Sequence, residues 1–136
     1  MQREGPGWRL AVDPSRDGYQ ALIGGDGWAI ELNLDELLAL QSLCARLQEQ
    51  HAAIADQLMA EESIEMAVEK GPWWLELSGD RQGWSLRFIL NSPGSRGAEG
   101  MWSTQASAEV CLALAKAGSF YCLLYTSPSP RDDGVS

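Results

Sequence analysis

Lysine is nearly missing from this sequence: Lys70 and Lys116 are the only two among 136 residues. With arginine the basic residues number 10 against 19 acidic ones, a net charge of −9. A field of that sign repels a phosphate backbone, which argues against a general nucleic-acid binder unless a local arginine patch defeats it. Histidine is scarcer still. His51 stands alone, so any Ser-His-Asp or Cys-His arrangement would have to use it, and no cysteine or carboxylate lies at metal-ligand spacing from it. The three cysteines form no C-x-x-C pair and no zinc pattern. Cys44 and Cys111 fall in helical patterns, where a thiol behaves as a small buried hydrophobe, and a reducing compartment leaves them unpaired. Long apolar runs are absent too: none approaches the roughly 18 residues of a membrane span. Met1-Gln2-Arg3-Glu4-Gly5-Pro6 has no apolar centre and no small-residue cleavage site, so it does not read as a signal peptide. The expectation is a cytoplasmic protein without membrane contact.

What is present describes one folded domain. Hydrophobic residues make up 45% and charged residues 21% of the chain, the proportions of an ordinary globular protein. In the first third, Trp8, Leu10 and Val12 alternate with Arg9, Ala11 and Asp13, the pattern of a half-buried strand. Turn residues Asp13 to Gly18 lead to a strand over Tyr19 to Ile23. Gly24-Gly25-Asp26-Gly27 then reads as a hairpin turn into Trp28-Ala29-Ile30-Glu31-Leu32. It lacks the Lys-Ser/Thr of a phosphate loop and precedes a strand, which disfavours a phosphate cradle.

The period changes at Asn33, whose spacing to Glu36 predicts a capping box. Leu37, Leu40, Cys44, Leu47, His51, Ile54 and Leu58 then form a helical stripe to about Ala60, with a bend expected near Gln50. Alternation returns in Ile64, Met66 and Val68, and again in Trp73, Leu75 and Leu77. After a loop at Gly79 to Gly83 it resumes in Trp84, Leu86, Phe88 and Leu90. A short strand over Gly100 to Ser103 precedes a helix from about Ser107, with Gly118 as its cap. The fold class is therefore α+β: two β-rich segments of antiparallel sheet, each followed by a helix.

Four blocks carry a resemblance: Arg3-Glu4-Gly5-Pro6-Gly7-Trp8-Arg9-Leu10, then Gly24 to Leu32, Ser85 to Leu90, and Arg96-Gly97-Ala98-Glu99-Gly100-Met101-Trp102. Their order and spacing resemble a cyanobacterial family known only as domain of unknown function 1818. The resemblance implies a fold similar to that of the Whirly single-stranded-DNA-binding transcriptional regulators. It carries no DNA-binding residues across, because the Lys-Gly-Lys-Ala-Ala-Leu motif of those proteins has no counterpart here. The nearest stretch is Glu69-Lys70-Gly71-Pro72, and fold does not fix function.

The C-terminal Cys122-Leu123-Leu124-Tyr125-Thr126-Ser127-Pro128-Ser129-Pro130-Arg131-Asp132 resembles a sequencing adapter read through as coding sequence. The expected division is a domain over 1–121 and a non-native, irregular tail over 122–136. Without that tail the chain keeps 9 basic against 17 acidic residues, a net charge of −8. The acidity belongs to the domain.

Tryptophan supplies the candidate binding surface. Trp8, Trp28, Trp73 and Trp84 fall on inner faces, whereas Trp74 points outward beside Glu76, with Arg87 outward on the partner strand. Such a trio can stack bases, or it can anchor a protein partner as a cross-strand pair covering an indole. Glu61, Glu62, Glu65 and Glu69 read as a solvated acidic face. No acid–base pair, nucleophile dyad or metal cluster assembles from these residues, so neither enzyme activity nor a cofactor is expected. The reading is a regulatory or binding module with a protein partner, single-stranded nucleic acid being the alternative.

Overall fold

The structure, a computed structural model, describes residues 1–92 and 96–126. Four strands, β1 (Gln2–Gly5), β2 (Trp8–Val12), β3 (Ala21–Gly25) and β4 (Trp28–Leu32), precede helix α1 (Leu34–Ala55). Four more follow, β5 (Ile64–Lys70), β6 (Trp73–Gly79), β7 (Trp84–Asn91) and β8 (Gly97–Trp102), and then helix α2 (Thr104–Thr126). Each set of strands is an antiparallel sheet in sequence order. The expected α+β arrangement, strands then helix twice over, is the observed one.

Local chemistry explains most boundaries. Gly5 pairs with Trp8, so Pro6 and Gly7 take the two central turn positions, proline fixing its φ and Gly7 supplying a positive φ of 81°. At the start of α1, the Asn33 side chain accepts from the Glu36 amide at 2.8 Å, and Glu36 Oε1 accepts from the Asn33 amide at 2.9 Å. The predicted capping box is present.

Several boundaries differ from the sequence reading. Strand β3, expected over Tyr19 to Ile23, runs from Ala21 to Gly25 and leaves Asp26 and Gly27 for the turn. The strand β1 was not anticipated, and β8 begins at Gly97 instead of Gly100. Helix α1 runs unbroken past Gln50 and stops at Ala55. Beyond His51 the stripe positions Ile54 and Leu58 are only half-buried, so packing no longer rewards further helix. Helix α2 begins three residues early, where Ser103 Oγ accepts from the Ala106 amide at 3.2 Å. It then runs straight through Gly118. A Cβ at Gly118 would lie 3.2 Å from the Gln41 side chain, so this glycine permits close approach of α2 to α1 and caps nothing. The helix continues to Thr126, which gives regular structure to the first five residues of the segment expected to be irregular; residues 127–136 lie outside those described.

The two halves hold each other. Helix α1 lies against β5 and β6 of the second sheet, while α2 lies against β2 and β1 of the first and β7 of the second. Four indoles donate across the divide. Trp8 donates to Glu109 Oε1 of α2 at 3.1 Å, and Trp73 to the Glu36 carbonyl of α1 at 2.9 Å. Trp28 of β4 donates to the Met101 carbonyl at 3.2 Å, and Trp102 of β8 to the Gly24 carbonyl at 2.9 Å. Trp28, assigned to the core from sequence, is only half-buried. It closes the seam between the sheets, its ring 5.2 Å from that of Phe88 and 5.4 Å from that of Trp102.

His51 is buried, as its stripe position implied, and its Nε2 lies 2.7 Å from the Asp80 carbonyl. With the proton on Nε2 the ring donates there and pins the β6–β7 turn to α1. Within that turn the Asp80 carboxylate accepts from the Gln82 and Gly83 amides at 2.9 and 3.1 Å. These backbone bonds favour the charged form and hold the carboxyl below its ordinary 3.8. The depressed value means the stabilisation is complete above pH 3.8 and fades as pH falls through the lower folded-state value. An NMR titration should therefore show Asp80 changing charge at lower pH than 3.8, and Gly83→Pro, which removes one donor, should move it back up.

Candidate binding surface

The outer face of the second sheet is set by register. Alternation along β6 sends Trp73, Leu75 and Leu77 into the core and Trp74, Glu76 and Ser78 outward. On β7 the outward residues are Ser85, Arg87 and Ile89. Cross-strand partners align these into rows running from β5 to β8. One row is Glu69, Trp74, Ile89 and Glu99; the next is Ala67, Glu76, Arg87 and Met101.

All three residues expected to form a surface meet in these rows. Glu76 and Arg87 stand directly opposite each other, with Arg87 Nε 3.7 Å from Glu76 Oε1. The same guanidinium sits 4.9 Å from the centroid of the Trp74 ring, within reach of a cation–π attraction. Arg87 is 48% exposed and Glu76 27%, so this pair contributes little to stability. Its effect is positional. It holds the guanidinium between the Glu76 carboxylate and the indole.

Around this trio lie residues the sequence reading had not gathered. Ile89 is 37% exposed and Met101 54%, and with Trp74 they make an apolar centre. Glu69 and Glu99 close the two ends of the Trp74 row, and Glu65 lies outward beyond Ala67 on β5, in the row of Ser78 and Ser85. The face therefore carries four glutamates, Glu65, Glu69, Glu76 and Glu99, against Arg87. Among the described residues, only Glu76 of the four forms an ion pair. Two further arginines that a polyanion could use lie elsewhere. Arg9 is on β2 of the first sheet and Arg81 is in the β6–β7 turn.

Groups that could do chemistry are engaged in the fold. The Glu36 carboxylate, buried at 6% exposure, pairs with Arg96 and also accepts from Ser92 Oγ at 2.8 Å. Arg96 in turn lies 4.6 Å over the Tyr19 ring. The hydrogen bond with Cys111, together with burial, pushes the Cys44 thiol well above its ordinary range. Both thiols are buried and unlinked, which makes them poor nucleophiles. Among the described residues no three His, Cys, Asp or Glu side chains come together as a metal site. Among the described residues no helix is long and apolar enough to cross a membrane.

Comparison with known proteins gives similarity to a family and a solved structure of unknown function. The family model for a domain of unknown function, DUF1818, matches residues 3–117. A crystal structure of a protein of unknown function from Prochlorococcus sp. NATL2A, described there as of the DUF155 family, is similar with a TM-score of 0.82. It is 40% identical, and the match covers 86% of this chain and 98% of that one. No curated protein matches.

Proposed function

The chain belongs to the DUF1818 family, and we propose that it is a non-catalytic binding module whose protein partner docks on the outer face of the second sheet. One observation carries the reading. An apolar centre of exposed Ile89 and Met101 with half-buried Trp74 sits on a sheet face with no covering element among the described residues, and the Arg87 guanidinium lies over its indole. Preorganised aromatic and arginine side chains are the usual anchors of protein interfaces. The non-catalytic part is supported by the engagement of His51, Cys44 and Glu36 in holding structure.

The single-stranded nucleic-acid alternative, implied by the Whirly resemblance, is disfavoured by the same face. Four glutamates surround the one arginine, and that arginine is paired with Glu76. Counterion release needs several cationic phosphate contacts together. Stacking on Trp74 would supply only about 1–3 kcal/mol.

Two measurements test this. Anisotropy with labelled single-stranded oligonucleotides should show weak binding near physiological salt. Tight, salt-sensitive binding lost in both Trp74→Ala and Arg87→Ala would reverse the ranking. Affinity purification of the tagged chain should recover a partner that survives nuclease. Trp74→Ala should weaken that complex by about 2 kcal/mol, roughly thirtyfold in Kd.

A further inference from the structure

We infer that the partner docks through a short basic segment, one presenting two cationic side chains on either side of an apolar stretch. The inference rests on the docking reading above and adds the chemistry of the occupant. Glu69 and Glu99 terminate the Trp74–Ile89 row on β5 and β8, the outermost strands of the sheet. Three strand spacings of roughly 4.8 Å separate them by about 14 Å. Between them lie the indole and Ile89, with Met101 and the Arg87 stem alongside. A segment that fits has Lys or Arg about 14 Å apart with apolar side chains between.

Size and sign exclude the other occupants. Three outward positions on each of four strands make a platform roughly 20 Å on a side, about 400 Å². That is half of the roughly 800 Å² per partner of a standard globular interface, so the face suits a segment and not a whole domain surface. A second copy of this chain would bring four glutamates against four. Like charges directly opposed disfavour that pairing. A phosphate backbone meets the same repulsion.

The experiment uses the full chain in the cells where it is native, with a photo-crosslinking amino acid at Ile89 and, as control, at Leu22 on the first sheet. The crosslinked peptide is identified by mass spectrometry, synthesised and titrated against the unmodified protein and the double variant Glu69→Lys/Glu99→Lys. The expected result is an Ile89-specific crosslink to a segment with Lys or Arg flanking apolar residues. The charge reversal should weaken its binding about tenfold, and reversing the peptide charges should restore it. Thermal unfolding of the double variant should match that of the parent, since both positions are exposed. A crosslinked segment that is acidic or uncharged, or insensitive to the reversal, overturns the basic occupant while leaving the docking face intact. Crosslinking to nucleic acid, to another copy of the chain, or equally from Leu22 overturns both.

Discussion

Phe88→Ala is expected to lower the free energy of unfolding by about 3–5 kcal/mol, as emptying a large core site does. Phe88 is fully buried, with the rings of Trp28, Trp73 and Trp102 at 5.2, 5.4 and 5.4 Å. These indoles are fixed by their own hydrogen bonds to backbone carbonyls in the opposite half. They cannot collapse into the space without breaking those bonds, so the cavity persists and the cost falls in the upper part of the range. Total stabilities of small domains are about 5–15 kcal/mol, so this single change threatens the fold. Urea unfolding followed by tryptophan fluorescence measures it. A loss below about 1.5 kcal/mol, the scale of a volume-conserving swap, would show that the aromatic cluster rearranges freely.

Glu36→Ala is expected to cost about 3 kcal/mol. Removing one partner of a buried pair typically costs 3–5 kcal/mol, because the other charge is left uncompensated. The lower end applies because the Arg96 side chain is 26% exposed and water can reach it. Besides that pair, the variant loses the bond from Ser92 and half of the capping box. The check is a double-mutant cycle by chemical denaturation. Arg96→Met in the Glu36→Ala background should cost much less than in the parent, since the charge it removes is no longer paired. Strict additivity would mean that Glu36 and Arg96 do not act together.

The residues legible in the sequence were those with a strict period and side chains to mark it. The inner face of β7, Trp84, Leu86, Phe88 and Leu90, alternates without interruption, and from it the outward direction of Arg87 followed. Trp74 and Glu76 followed in the same way on β6, so the centre of the candidate face was readable. Its far edge was not. In β8, Gly97 and Gly100 have no side chain to indicate a face, so the positions of Glu99 and Met101 depended on pairing with β7. Strand β1 hid for a related reason: Gln2-Arg3-Glu4-Gly5 has no apolar residue, and only its pairing with β2 makes it a strand. Gly118 misled because glycine serves both as a helix cap and as a point of close approach. Which role it plays depends on Gln41, 77 positions away in the sequence.

The crossed indole bonds bear on what the two repeats are to one another. Each sheet borrows the helix that follows the other sheet, or shares it, as the subunits of an intertwined dimer would. The connector at Asp56 to Ser63 is exposed almost throughout, and its hydrogen bonds among the described residues stay local. A protease nick within it should therefore leave a two-piece complex that keeps its structure, whereas either piece produced alone should have no folded state to adopt. The peptide link in this chain sets the effective concentration of the halves, and the tryptophans set their affinity.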